Sequence, residues 1–320
     1  MKQKDPRYPY RRTPVKPAPK WRIKRTTGKS LTDFNPLYVY FTLPLRPASI
    51  GPVLGFVHTV IWKFFMAQYF RKWGLRRTPI KHVDHILDTK VPFHPEYVDV
   101  YFDFINFWIR PLVMLEKRFG TWSGSKLCAE FLNYITLAYR QAYQMYRRSM
   151  TTTVRPKCRD SALITTIQTA DPHYLCVPSL HIAVVCLGFS FYRMLFKREH
   201  FSTEDSDRWG AELYARAVEI AETVLYVKQH SVNCIPAALY MMTRITPELF
   251  TIEDGVDFIN SLFRNADDIA KEDKEAIREH IQFMFERLVL EGTTESDWVK
   301  PVEHWLSTYV PYQYPNTPEY

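Results

Sequence analysis

Two histidines and two arginines in this chain keep company that suits a phosphate group. His181 closes the tetrad Pro178-Ser179-Leu180-His181, which lies in the charge-free apolar run 172–192. Proline has a φ suited to the first helical turn and no N–H to leave orphaned, so a helix is expected to start at or near Pro178. Ser179 and His181 then fall in its first turn, where free backbone N–H groups and the positive end of the dipole favour an anion, phosphate above all. A lone histidine in such a place is more often a satisfied core side chain than a site. Partners elsewhere in the chain have to make the case.

His230 sits in "VLYVKQHSVNCIPAALYMM", a second apolar segment that reads as helical, with Lys228 two residues before it and Pro236 expected to end or kink the helix. The stretch "RSMTTTVRP" holds Arg148 and Arg155, separated by six residues, with Pro156 following. Three β-branched threonines, and the restriction Pro156 places on the residue before it, push this stretch out of helical geometry. The two arginines are thus expected at the end of one helix and on the loop after it. His82 and His85 in "HVDH" lack further obvious metal ligands and read as loop surface.

The elements that must position these groups are helical. The chain has 320 residues, 46% hydrophobic and 15% aromatic, enough to bury one large core or two smaller ones and too apolar for a disordered chain. Strict period-two alternation is absent from 35–245. In "KLCAEFLNYITLAYRQAYQMYRR", Leu127, Phe131, Tyr134, Ala138, Ala142 and Met145 recur every three or four residues and share one helical face. The fold class is therefore all-α, a helical bundle. Three regions are expected: a basic flexible arm over 1–34, a helical core over 35–246 and an acidic helical C-terminal extension over 247–320. Residues 1–30 carry 11 Lys and Arg against one Asp, whereas 247–320 carry 16 Asp and Glu against 6 Lys and Arg. In the extension, Ile277, Ile281, Met284, Phe285 and Leu288 form the apolar stripe of an otherwise solvated helix, with Gly292 as its stop.

Taken in order, the three pieces resemble the phosphatidic acid phosphatase type 2 and vanadium haloperoxidase superfamily. That superfamily's pattern is a basic residue, six spacers and Arg-Pro; then Pro-Ser-x-His; then a nucleophilic His with an Asp four residues later. Here the first is Arg148 to Pro156, with Arg for the usual Lys, and the second is Pro178 to His181. The third is Lys228-Gln229-His230, whose form is similar to the branch with inositol-phosphoryl transferases and related lipid phosphatases. "TKVPFHPEYVDVYF", 89–102, also resembles that branch's segment before a membrane helix.

The resemblance implies a phosphatase or phosphotransferase acting on a phosphomonoester, lipid-linked in kind, through a phosphohistidine. His230 would attack phosphorus, and His181 would protonate the leaving oxygen and later activate water or an acceptor alcohol. Arg148, Arg155, Ser179 and helix N–H groups would hold the equatorial oxygens, with no metal or other cofactor required. Two departures stand out. Thr223-Val224 occupies the place of the family's Ser-Arg, leaving Lys228 as the substitute cation, and Cys234 replaces the Asp that orients the nucleophile. Asn233 offers an uncharged amide oxygen in its stead. The alternative expectation is a catalytically degenerate member of the same fold that binds a phosphorylated lipid or a protein partner without turnover.

Five cysteines without framework spacing suit a reducing compartment, and the first 30 residues lack the apolar core of a signal peptide. Of the charge-free runs 47–62, 172–192 and 229–243, the middle one alone has the length of a membrane span. A membrane location, integral or peripheral, is expected, with the basic N-terminus cytoplasmic and the arm suited to an anionic membrane surface. Specific nucleic-acid binding is not expected.

Overall fold

A computed structural model describes residues 14–158 and 161–315. Helices dominate: α1 (Lys20–Thr26), α2 (Leu37–Thr42), α3 (Ile50–Thr59), α4 (Met66–Lys72), α5 (Val98–Phe119), α6 (Thr121–Tyr146), α7 (Ala162–Ala170), α8 (Leu180–Arg198), α9 (Thr203–Tyr226), α10 (Cys234–Ile245), α11 (Ile252–Ser261), α12 (Lys271–Gly292) and α13 (Val299–Thr308). A π-helical stretch, Val60–Phe65, joins α3 to α4 without a break. Two three-residue strands, β1 (Ile80–His82) and β2 (Met150–Thr152), pair in parallel. The threonine-rich segment is thus extended, as its β-branched residues favour.

The bundle forms because the stripe on α6 has apolar faces to meet. Leu127, Phe131, Tyr134, Ala138, Ala142 and Met145 are all buried, and all but Ala138 share one cluster with Leu112 of α5, Phe191 of α8 and Ala237 of α10. α8 is buried along most of its length, consistent with its lack of charge up to Arg193. A tight hairpin joins α5 and α6. Gly120 turns it with φ +82°, and at Gly124 a Cβ would stand 2.6 Å from Glu116 Cα and 2.8 Å from the Leu115 carbonyl oxygen. Close approach of two backbones, rather than chain freedom, requires glycine at 124.

Three expectations need correction. The basic arm is shorter than 1–34: residues 20–26 form α1, Arg22 reaches the Lys117 carbonyl at 3.2 Å, and Leu31 and Phe34 enter the core, because Glu212 binds the Leu31 N–H at 2.7 Å. Residues 1–13 lie outside the described residues. The stretch from 247 does not stand off as a solvated extension. Ile277, Ile281, Met284, Phe285 and Leu288 do line one face of α12, but that face joins the cluster of α6, α8 and α10. Finally, the 47–62 run does not stop at its first charge. The π-helical stretch carries it past Lys63 to Lys72, so two helices, Ile50–Lys72 and Leu180–Arg198, are long and apolar enough to cross a membrane.

The hairpin gives a stability test. Gly124→Ala should destabilise the fold by about 1–3 kcal/mol, because the methyl must displace backbone rather than a side-chain tip. Denaturant unfolding that leaves Gly124→Ala within error of the wild type would show that α5 and α6 are not so closely docked.

Candidate active site

Ser179 is the N-cap of α8 rather than a residue of its first turn: its hydroxyl oxygen accepts from the Ile182 N–H, and the helix begins at Leu180. A cis Val177–Pro178 bond precedes it. The chain before the cap is pinned by Thr151 of β2, whose hydroxyl accepts from Val177 N–H at 2.7 Å and whose N–H donates to the Tyr174 carbonyl at 3.0 Å. Tyr146 donates to the Pro178 carbonyl at 2.6 Å. Capping and pinning together fix where Ser179 and His181 point.

His230 is not helical. It lies in the loop between α9 and α10, just past Lys228, which has a left-handed φ of +53°. Pro236 sits in the first turn of α10, where its missing N–H costs nothing, so it begins a helix rather than ending one. The segment 83–91 frames this loop. Asp88 accepts from the Val232 N–H at 2.8 Å, Lys228 Nζ donates to the Asp88 and Val91 carbonyls, and Asn233 Nδ2 donates to the Val83 carbonyl at 2.9 Å. Ser179 N–H then donates to the Cys234 carbonyl at 3.3 Å and couples the loop to the start of α8.

These supports bring three of the expected groups together. His230 Nε2 lies 3.3 Å from Ser179 Oγ and 3.3 Å from His181 Nδ1, and the two imidazoles meet edge to face with centroids 5.4 Å apart. A neutral Nε2 has one lone pair, so it accepts a proton from the hydroxyl or from His181, not from both. Both rings border a cavity of about 40 Å³, room for roughly three waters or one small group. Phe64, Gln68, Tyr101, Asp171 and His173 complete much of its wall. Burial holds the His230 imidazole well below its ordinary value, with His181 and His173 adding to the shift. Burial also pushes His181 down to about 4, against the opposing pull of Asp171. Both rings are therefore neutral near pH 7.

Arg155 stands directly behind this wall. Its guanidinium donates to Gln229 Oε1 at 3.2 Å and to the Asp171 carbonyl at 3.3 Å, and both partners line the cavity. The other expected groups go elsewhere. Arg148 is exposed and paired with Asp297 at 2.8 Å and Glu303 at 2.7 Å, since α13 packs beside the end of α6. Lys228 spends its ammonium on the two carbonyls of the 83–91 frame. Asn233 cannot orient His230, because its oxygen accepts from His280 at 2.8 Å and its nitrogen also donates to the Tyr309 hydroxyl at 2.8 Å. Cys234 Sγ accepts from Ser231 N–H at 3.4 Å and also meets the Cys176 thiol. His230 Nδ1, the atom an orienting carboxylate would hold, is buried without a hydrogen-bond partner. His82 pairs with Asp84, and His85 stacks on His280; among the described residues, no group of metal-binding side chains assembles.

The spacing arguments missed Asp171, His173 and Cys176. His173, at a left-handed φ of +64°, places Nε2 2.8 Å from Thr153 Oγ1 and 3.4 Å from Cys176 Sγ, with Nδ1 3.8 Å from Asp171. Burial opposes its charge, yet the Cys176 thiolate and Asp171 outweigh burial and raise the imidazole, so its charge is matched by its own anionic neighbours. Histidine tolerates the left-handed region better than most residues, and that was the one available signal. A wider concavity, about 650 Å³ between α5 and α9, lies elsewhere; its Asp103, Arg110, Arg216 and Glu219 are committed to one another. The chain matches no known family model, no curated protein and no solved structure.

His181 sets a pH dependence. Its folded value near 4 lies below the unfolded 6.5, so as pH falls through 6.5 the unfolded chain takes up a proton that the folded chain refuses. The resulting loss of stability begins below pH 6.5 and is complete near pH 4. His181→Gln should reduce the fall in unfolding free energy across that window by on the order of 1–3 kcal/mol. Equal falls in both proteins would mean that His181 is protonated in the fold.

Proposed function

We propose that this cavity performs phosphoryl transfer on a phosphomonoester, lipid-linked in kind, with His230 as nucleophile. One observation carries the reading: His230 Nε2 faces a hydroxyl and a second imidazole at equal distances in a cavity the size of a phosphoryl group. A phosphorus atom entering there takes the lone pair of Nε2. Ser179 Oγ–H and the backbone N–H groups at the start of α8 then turn to its oxygens. The P–O bond to the leaving group breaks as the N–P bond forms, and His181, charged by the incoming phosphate, supplies the proton. Water or an acceptor alcohol reverses the steps and frees His230, with the proton returning to His181. Arg155 provides cationic charge behind the oxygens. The reading includes a membrane location with the basic N-terminus on the cytoplasmic side.

A second reading has support of its own. Arg148 and Lys228 are committed elsewhere and His230 Nδ1 has no orienting partner, so a protein that binds a phosphate without turning it over fits the same cavity. Hydrolysis of p-nitrophenyl phosphate separates the two. Under the first reading turnover is weak but real, His230→Ala lowers it ~10³-fold or more, and His181→Ala lowers it ~10²–10⁴-fold. Arg148→Ala leaves it unchanged. No turnover, with orthovanadate bound by the wild type and not by His230→Ala, gives the second reading. Neither turnover nor binding contradicts both.

A further inference from the structure

The helix that walls the cavity is apolar on the side facing away from the protein. In Ile50–Lys72, Phe56 and Phe64 turn inward onto Tyr139, with ring centroids 5.6 and 6.0 Å away. Leu54, Val57, Ile61, Trp62 and Phe65 turn outward on one continuous face, at spacings of three, four, one and three, and all are exposed. Only 11% of the helix's most apolar window is buried, against 78% for α8. Upstream, Phe41 and Leu45 are exposed as well, at 72% and 76%. A surface helix of a water-soluble protein turns its polar residues outward; here the polarity is inverted.

The charges around this face identify what covers it. Residues 34–83 contain no Asp or Glu and seven cations: Arg46, Lys63, Arg71, Lys72, Arg76, Arg77 and Lys81. Trp62 and Trp73 are exposed among them, as is usual for side chains that settle at a membrane–water boundary. A second copy of this chain would set one cationic face against another. An anionic lipid surface matches both the apolar stripe and its cationic rim.

The helix lies along the bundle, with its inner face packed on α6 and Arg140 of α6 donating to Thr59 Oγ1 at 3.4 Å. To cross a bilayer it would have to take α6, with Lys126, Glu130 and Arg140, along with it. We propose that the outward face of α2–α4 docks in the plane of an anionic bilayer, which sets the Phe64–Gln68 wall of the cavity against the headgroup layer. Docking is independent of the chemistry; delivery of a lipid phosphate past Phe64 and Gln68 rests on the phosphoryl-transfer reading.

The full chain, mixed with phosphatidylcholine vesicles with or without phosphatidylserine, tests this by co-sedimentation. The wild type should pellet with the phosphatidylserine vesicles, less so as salt rises, and remain largely free with phosphatidylcholine alone. The triple variant Leu54→Glu, Ile61→Glu, Phe65→Glu alters only exposed side chains and should keep the wild-type circular dichroism spectrum. Its vesicle affinity should fall tenfold or more, while orthovanadate binding and p-nitrophenyl phosphate turnover stay as in the wild type. Three results would overturn docking: a wild type that pellets with neither vesicle, a triple variant that still pellets, or a vesicle-free dimer that the triple variant dissolves. Loss of phosphate chemistry with vesicle binding intact would strike the phosphoryl-transfer reading alone.

Discussion

The site depends on how one loop is held. Between α9 and α10 the chain turns through a left-handed Lys228 and presents His230, whose N–H closes the turn on the Val224 carbonyl at 3.1 Å. Asp88, Val83 and Val91 supply the grip, through a buried carboxylate and three backbone carbonyls from a segment some 140 residues earlier in the chain. Burial raises Asp88 to about 6, against the N–H groups and the Ser231 hydroxyl that favour its charged form. Groups held this way are costly to leave unpaired, so removing one partner releases the loop. Ser179 N–H on the Cys234 carbonyl then transmits that position to the start of α8.

Given that frame, the chemistry of the cavity follows from a balance between burial and charge. Burial keeps His181 and His230 neutral, the state that the proposed acid and nucleophile would have before a phosphate enters. On the other wall, Asp171 and Cys176 keep His173 cationic despite its burial. Two imidazoles without charge, and one whose charge is paired with its own anionic neighbours, border a single small space.

Much of this was legible in the sequence, and the boundary has a physical cause. The α6 stripe and the α12 stripe were readable because helical periodicity is local and burial follows it. Ser179, His181 and His230 were readable because a cap, a tetrad and an apolar run are local too. Arg148 was not, since its fate is decided by Asp297, just before α13, and Glu303 within it. Lys228 and Asn233 were assigned to the phosphate and to the nucleophile on spacing, but the 83–91 segment claims the ammonium of one and His280 the amide oxygen of the other. His173 and Asp171 stood in plain view beside the tetrad, and no spacing rule could say that a left-handed turn brings them to the same wall.

The central claim is that His230 carries the phosphoryl group between donor and acceptor. Protein mixed with p-nitrophenyl phosphate, quenched in alkali and digested, can be examined by mass spectrometry for phosphate on the peptide that contains residue 230. The account predicts one acid-labile phosphoryl group there, present in the wild type and absent from His230→Ala. Turnover in a protein whose His230 peptide stays unmodified, with the phosphoryl group found on another residue, would contradict it.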